Sequence, residues 1–545
     1  MRTVQTSKAS AAASVSPVAA PGAPRAPRDL RLDFFRGLAM FIILLAHTPG
    51  NAWTLWIPAR FGFSDATEIF VFCSGMASAL AFGAVFVKRS WWLGAARIAF
   101  RVWQVYWAHI GIFLATAMLA FAIDHFGIGL EGKKYVHEPY VVPFFTQTGE
   151  AVLGLMTLTY VPGMFDILPM YLVILAMIPA VMLCHRLGGR WAVFGAVLAV
   201  WLASNLAGYA SMFEPESDPA PWQSTLLGLG EALAWMNLPA NPFGENTWFF
   251  NPFAWQLVFF TGFAFGLGWL PAPPVRRWLV ILAAAYLVVV LPFAWFKIHQ
   301  GFYIPQEWAL AEWIRDTRAA TEPVWWKSWL GGARYLHFLA VAYLAWASVG
   351  PGGVFLREGF RPRAALPRWL VVLAGAVVLV SVPYTYIDGI KALSPALDAW
   401  FFNNIPIVHG NRIGLIQLIH LAAVIVLVWA LLGTRLRNWL AGDFVRAAVP
   451  VIRKVGTQSL AVFMVSIPLA RLNGWVLDMI GRDAWTWAAV NLSGFAVLIA
   501  VAYVVSWFKG MPWRAQPAAR VPAPGAAQIG GADGRGAPQI AAMRV

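Results

Sequence analysis

The sequence predicts an all-α polytopic membrane protein, with about twelve transmembrane helices in one bundle and disordered tails. Three observations carry that prediction. Apolar residues make up 60% of the 545-residue chain and charged residues only 12%. Apolar runs of about 18 or more residues recur, long enough for membrane helices. The Lys and Arg residues are also unevenly divided between the segments that join those runs.

In chain order, the predicted spans lie near 33–53, 67–87, 99–122, 168–184, 191–209, 253–270, 278–296, 335–350, 369–386, 412–432, 457–474 and 487–508. An apolar stretch at 150–160 is too short to cross and reads as a re-entrant or interfacial piece. With the N-terminus in the cytoplasm, 28 of the 40 Lys and Arg fall inside and 12 outside. That bias selects an orientation with both termini cytoplasmic. The net charge of +15 is therefore largely a topology signal. No nucleic-acid partner is expected, because no basic stripe interleaves with aromatics on a soluble domain. The lipid bilayer is the expected surroundings.

Residues 1–27 are rich in Ala, Pro and Ser and lack the apolar core of a secretory signal. They and residues 511–545 read as disordered tails around a membrane domain at 28–510. Cys73 and Cys184 offer neither a disulfide framework nor metal-ligand spacing, so no metal is expected. The longest outer loops are 123–149, 210–252, 297–334 and 387–411.

The first span, LDFFRGLAMFIILLAH, holds Arg36 and His47 eleven residues apart. Eleven residues are close to three helical turns, so both fall on one stripe, ~16 Å apart along the axis. Asp33 lies one turn before Arg36 on nearly the same face. Ionisable groups inside a span mark functional sites by default. A guanidinium near the inner end suits phosphate or carboxylate. An imidazole near the outer end, just before Pro49-Gly50, suits a hydroxyl proton. The plainer alternative is a snorkelling Arg and a structural His.

The second segment opens FGFSDATEIFVFCSG, with Asp65 and Glu68 at its outer mouth, at the depth of His47. Either carboxylate is a candidate to orient the imidazole, or both serve as a helix N-terminal cap. Ser74-Gly75 reads as a close-packing site. The third segment sets Arg97 and Arg101 one turn apart at the inner face, where they fit donor phosphates or simply anchor the span. His109, His337 and His420 read as structural. Many Trp residues, among them Trp248, Trp308 and Trp326, crowd the outer side as a belt.

Together these stretches resemble a known family. LDFFRGLAMFIILLAH resembles the first span of the membrane acyltransferase-three superfamily, with Arg36 and His47 on its arginine and histidine. RVWQVYW resembles the third-span arginine motif, with Arg101 and, earlier, Arg97. VGTQSLAVFMVSIPL resembles the late-span motif, keeping Gly456, Ser459 and Pro468 but holding Leu460, Phe463 and Ser466 where Tyr, Tyr and His are frequent. The closest resemblance is to the OpgC family, through RDLRLDFFRGLA, HTPGN, FGFSDATEIFVFCSG, YVPGMFDILPMYLV and NPFAWQLVFFTGFAFG.

This resemblance implies an O-acyltransferase of the bacterial inner membrane. It would move a succinyl group from cytoplasmic succinyl-CoA, a substrate rather than a resident cofactor, to a hydroxyl of a periplasmic glucan. His47 would act as general base or acyl carrier, helped by Asp65 or Glu68. Arg36, Arg97, Arg101 and Asp33 would serve the donor. The competing class is a secondary transporter or flippase for a glycan or small anion. No repeat between the two halves supports it.

Overall fold

The computed structural model describes residues 29–212, 220–300, 304, 306–360, 366–385 and 415–513. The expected tails, the loop at 387–411 and residues 213–219 near the start of the 210–252 loop lie wholly or largely outside these residues. Among the described residues, all extended regular structure is helical. One isolated bridge joins Pro239 and Thr247.

The main helices are α1 Leu30–His47, α2 Ala66–Lys88, α3 Trp91–His125, α4 Thr148–Thr157, α5 Ile167–Met212, α6 Pro221–Ala232 and α7 Pro252–Leu267. They continue as α8 Arg277–Ala294, α9 Ala309–Ala320, α10 Gly332–Ser348, α11 Arg368–Thr385, α12 Leu415–Leu431, α13 Val445–Thr457, α14 Ser459–Ile480 and α15 Ala484–Gly510. Side chains set several of the starts. Asp29 accepts from Arg31 N to open α1, Asp65 from Thr67 N to open α2, and Asn251 from Phe253 N to open α7.

Each of the twelve predicted windows falls largely on helix. The number of helices long and apolar enough to cross a membrane is smaller. Six qualify among the described residues, namely α2, α3, α5, α8, α14 and α15, or up to eight if two bent pairs each count as one. The shortfall has physical causes. α1 carries Arg31, Asp33 and Arg36 within its 18 residues. α7 has 16 residues and rises only ~24 Å, short of a ~30 Å hydrocarbon core. Two predicted spans merge into α5, whose 46 residues are broken by non-helical dihedrals at Gly189. The short stretch at 150–160 is covered mostly by α4, a ten-residue helix.

α1 packs against α2, α13 and α14, and α2 packs against α7. Two crossings depend on glycine. A Cβ on Gly75 would stand 2.0 Å from the Phe259 carbonyl oxygen, and one on Gly262 would stand 2.1 Å from that of Phe72. Likewise a Cβ on Gly37 would meet Ile452 O at 2.0 Å, and one on Gly456 would meet Asp33 O at 1.9 Å. Bare backbone is what lets α2 touch α7 and α1 touch α13. Gly75 therefore packs as its sequence context predicts. α7 is apolar all round and nearly submerged, with Ala254, Trp255, Val258, Phe259 and Phe263 fully buried. α8 lies at the periphery, with Ile281, Leu282 and Val288 exposed as a lipid-facing helix requires.

Candidate active site

His47 closes α1, and its ring is fixed from within that helix. Its Nδ1 lies 2.8 Å from the Ile43 carbonyl oxygen. A carbonyl only accepts, so Nδ1 is the donor and Nε2 of the neutral ring is left with its lone pair. The following turn is tied down. Thr48 Oγ1 donates to Leu44 O (2.9 Å), and Asn51 exchanges two side-chain bonds with Asn491 of α15 (2.8 and 3.0 Å). Arg471 of α14 donates from Nη2 to the His47 carbonyl at 2.8 Å. It thereby caps the C-terminal end of α1, where a cation is favoured.

His47 lines a cavity of about 480 Å³ together with Asp65, Asp166, Lys327, Arg60 and Phe250. Asp65 Oδ2 accepts from Lys327 Nζ at 2.5 Å, while its Oδ1 caps α2. Burial alone would raise this carboxyl, but Lys327 and Arg334 outweigh it and hold Asp65 well below its ordinary value. Glu68 completes the capping box by accepting from Asp65 N (2.8 Å), and its other oxygen accepts from Arg334 Nη1 at 2.9 Å. Glu68 is fully buried. Asp65 thus shares the cavity with His47, whereas Glu68 sits behind it. The hydrogen bond that sets the imidazole ring goes to the Ile43 carbonyl; Asp65 is an electrostatic neighbour of the ring, while its own hydrogen bonds go to Lys327 and the start of α2.

Asp166 enters through a strained turn. Met164 holds φ 84, a region L residues with bulky side chains rarely adopt. That turn, within YVPGMFDIL, brings Gly163, Met164 and Asp166 to the cavity wall. Burial pushes the Asp166 carboxyl up to about 7, opposed by its own and Ile167 N–H groups and by Lys327.

The other end of α1 gathers cations. The Arg36 guanidinium carbon lies 5.8 Å from the Phe70 ring centre, and its Nε is buried without a hydrogen-bond partner. Asp33, Cys73, Tyr171 and Arg101 are its electrostatic neighbours. Arg101 donates to Gln104 Oε1 (3.0 Å) and also faces Lys509 of α15. Arg97 stacks on the Phe82 ring at 5.6 Å. The fold therefore brings Arg36, Asp33 and Arg101 together and sets Arg97 against α2. Arg453, on the neighbouring α13, likewise has a buried Nε without a partner.

Five charged groups escaped the sequence reading: Arg60, Asp166, Lys327, Arg334 and Arg471. Arg60, Lys327 and Arg334 belong to outer loops or helix ends, where charge is unremarkable by composition, whereas Arg471 lies within α14. Asp166 and its turn stood in a family-like stretch without an assigned role. Two of the three histidines read as structural have a hydroxyl partner, and the third, His109, has a buried Nε2 without a hydrogen-bond partner. His337 Nδ1 lies 2.7 Å from Ser64 Oγ, and His420 Nδ1 lies 2.9 Å from Ser381 Oγ. Ser466, where the late-span motif often has His, donates to the Phe463 carbonyl at 2.9 Å. Among the described residues, no group of three His, Cys, Asp or Glu is arranged to hold a metal.

A family described as "OpgC protein" matches residues 28–365 and 353–510. The chain belongs to the OpgC family. No curated protein and no solved structure shows significant similarity to it. The two OpgC matches run from just before α1 to the end of α15 and leave both tails outside. Membership suggests a membrane acyltransferase that modifies glucans. The OpgC segments quoted above fall at the places where the bundle needs them. HTPGN makes the turn bonded to α15, FGFSDATE makes the cap of α2, and NPFAWQLVFFTG supplies α7 with the glycine that meets α2.

Proposed function

We propose that this OpgC protein transfers a succinyl group from cytoplasmic succinyl-CoA to a hydroxyl of a periplasmic glucan. The observation that carries this reading is α1 itself. It has a cation cluster at one end and, at the other, a histidine with a free ring nitrogen on a 480 Å³ cavity. The donor's phosphates bind Arg36, Arg97 and Arg101, with Asp33 holding Arg36 in place. The acyl arm reaches between the helices to His47. Nε2 takes the acceptor hydroxyl proton, and the oxygen attacks the thioester carbonyl. The C–S bond then breaks, and the proton passes from Nε2 to the departing thiolate. The products are the ester and free CoA.

The same reading places α1 and α7 among the membrane-embedded helices and divides α5 at Gly189 into two crossings, giving about twelve spans with both termini in the cytoplasm of a bacterial inner-membrane protein. Both parts of α5 exceed 20 residues, enough for ~30 Å each.

Release of free CoA thiol by purified protein in nanodiscs tests the reaction. Succinyl-CoA should be consumed, faster with periplasmic glucan present, and acetyl-CoA should serve less well. A transporter or flippase would leave every acyl-CoA intact, and that result would overturn the proposal.

A further inference from the structure

Acyl transfer needs more than a base. The attack at the thioester carbonyl creates an oxyanion, and a fixed donor aimed at that charge is usually the largest single contribution to catalysis. His47 cannot serve, because Nδ1 is committed to Ile43 O and Nε2 carries the proton. The cavity offers two side-chain cations. Arg60 is exposed, donates from Nε to Thr54 O (3.2 Å) and stands over the Phe296 ring, which makes it a rim residue. Lys327 is different. Its ammonium is bonded to Asp65 at 2.5 Å and lies 5.4 Å from the Phe250 ring centre and 5.9 Å from that of Phe249. The side chain keeps 29% exposure and lines the cavity. It is also an electrostatic neighbour of both His47 and Asp166. An ammonium has three donors, and one of them goes to Asp65.

We propose that Lys327 stabilises the oxyanion of the acyl-transfer step, with Asp65 as the residue that positions it. This rests on the transferase reading above. The acceptor oxygen bonds to the thioester carbon as Nε2 of His47 takes its proton. The carbonyl oxygen becomes an alkoxide beside the Lys327 ammonium. The C–S bond then breaks, the carbonyl re-forms, and the thiolate takes the proton back from Nε2. Lys327 stays protonated throughout, and Asp65 stays ionised. Asp65 thus serves acyl transfer through the cation rather than through the imidazole.

The test separates this role from that of a structural counter-ion. Lys327→Met alone leaves the half-buried Asp65 carboxylate without its hydrogen-bonded cation and lowers stability for that reason. Asp65→Asn with Lys327→Met removes both charges, and Asn still caps α2. CoA release in nanodiscs is measured for each variant, together with thermal unfolding and the donor KM. Lys327→Met should lower kcat by roughly 10²–10³-fold with the donor KM within threefold. The double variant should unfold near the wild-type temperature and remain as slow. Lys327→Arg, which keeps the charge, should retain kcat within about tenfold of wild type. A double variant that recovers turnover, or a Lys327→Met protein within threefold of wild type, overturns the assignment. Wild-type protein inactive with every acyl-CoA overturns the transferase reading itself, and this inference with it.

Discussion

Removing Arg334 should unfasten the outer end of α2, and the expected cost can be worked from the geometry. Arg334 Nη1 and Glu68 Oε1 are 2.9 Å apart, with side chains 10% and 0% exposed. At an effective dielectric of about 20, two unit charges at that separation attract by roughly 6 kcal/mol before desolvation. Desolvation of both ions removes much of this as net stability, but losing one partner leaves the other buried and alone, at about 3–5 kcal/mol. Arg334→Met should therefore destabilise by that amount. Glu68→Gln should cost less, because the amide still accepts from Asp65 N and Arg334 keeps a bond to the Trp325 carbonyl. Combining the two should recover most of the loss, since neither charge remains. The assay is SDS-driven unfolding in mixed micelles, followed by helical circular dichroism, with the two single variants and the double closing a cycle. A loss under about 1 kcal/mol for Arg334→Met, or strict additivity in the double, would refute the argument.

The Asp166 carboxyl is raised from 3.8 to about 7, so the folded protein holds a proton that the unfolded chain releases. Its stability contribution is full below pH 4, falls as pH rises through 4 to 7 by up to about 1.4 kcal/mol per unit, and is level above. Asp166→Asn should remove that fall, and equal slopes in variant and wild type between pH 5 and 8 would contradict it. At the α2–α7 crossing, Gly262→Ala should cost at least about 1–3 kcal/mol, because its Cβ would overlap the Phe72 carbonyl. Gly111→Ala, on an exposed face of α3 with nothing within 4 Å of the new Cβ, should be neutral or stabilising by up to about 1 kcal/mol. Equal effects at the two glycines, measured by the same unfolding assay, would discard the close-contact explanation.

The sequence carried whatever depended on one helix at a time. Hydropathy located the apolar helices, and the 3.6-residue period put Arg36 and His47 on one α1 stripe. Asp65 and Glu68, three apart before an apolar run, were legible as a cap, and the cap is present in full. Contacts between distant segments were not legible. Lys327 meets Asp65 across 262 positions, Arg334 meets Glu68 across 266, and Arg471 meets the His47 carbonyl across 424. No periodicity encodes such pairings, and a cation in an outer loop has the same composition whether it faces water or a cavity. The crossing count of about twelve is not confirmed, for a related reason: the two predicted windows on either side of Gly189 lie on one 46-residue helix, and α7 is apolar all round but only 16 residues long.

The central claim, acyl transfer across the bilayer through His47, is tested most directly in proteoliposomes of one orientation. Labelled succinyl-CoA is supplied on the side of the Arg36 end and glucan on the side of the His47 end. Wild-type protein should place label on the glucan and free CoA on the donor side. His47→Ala, inserted and folded as judged by the same unfolding assay, should place none. Label reaching the glucan at a near-normal rate in the His47→Ala protein, or wild-type label only on a glucan supplied with the donor, would contradict the account.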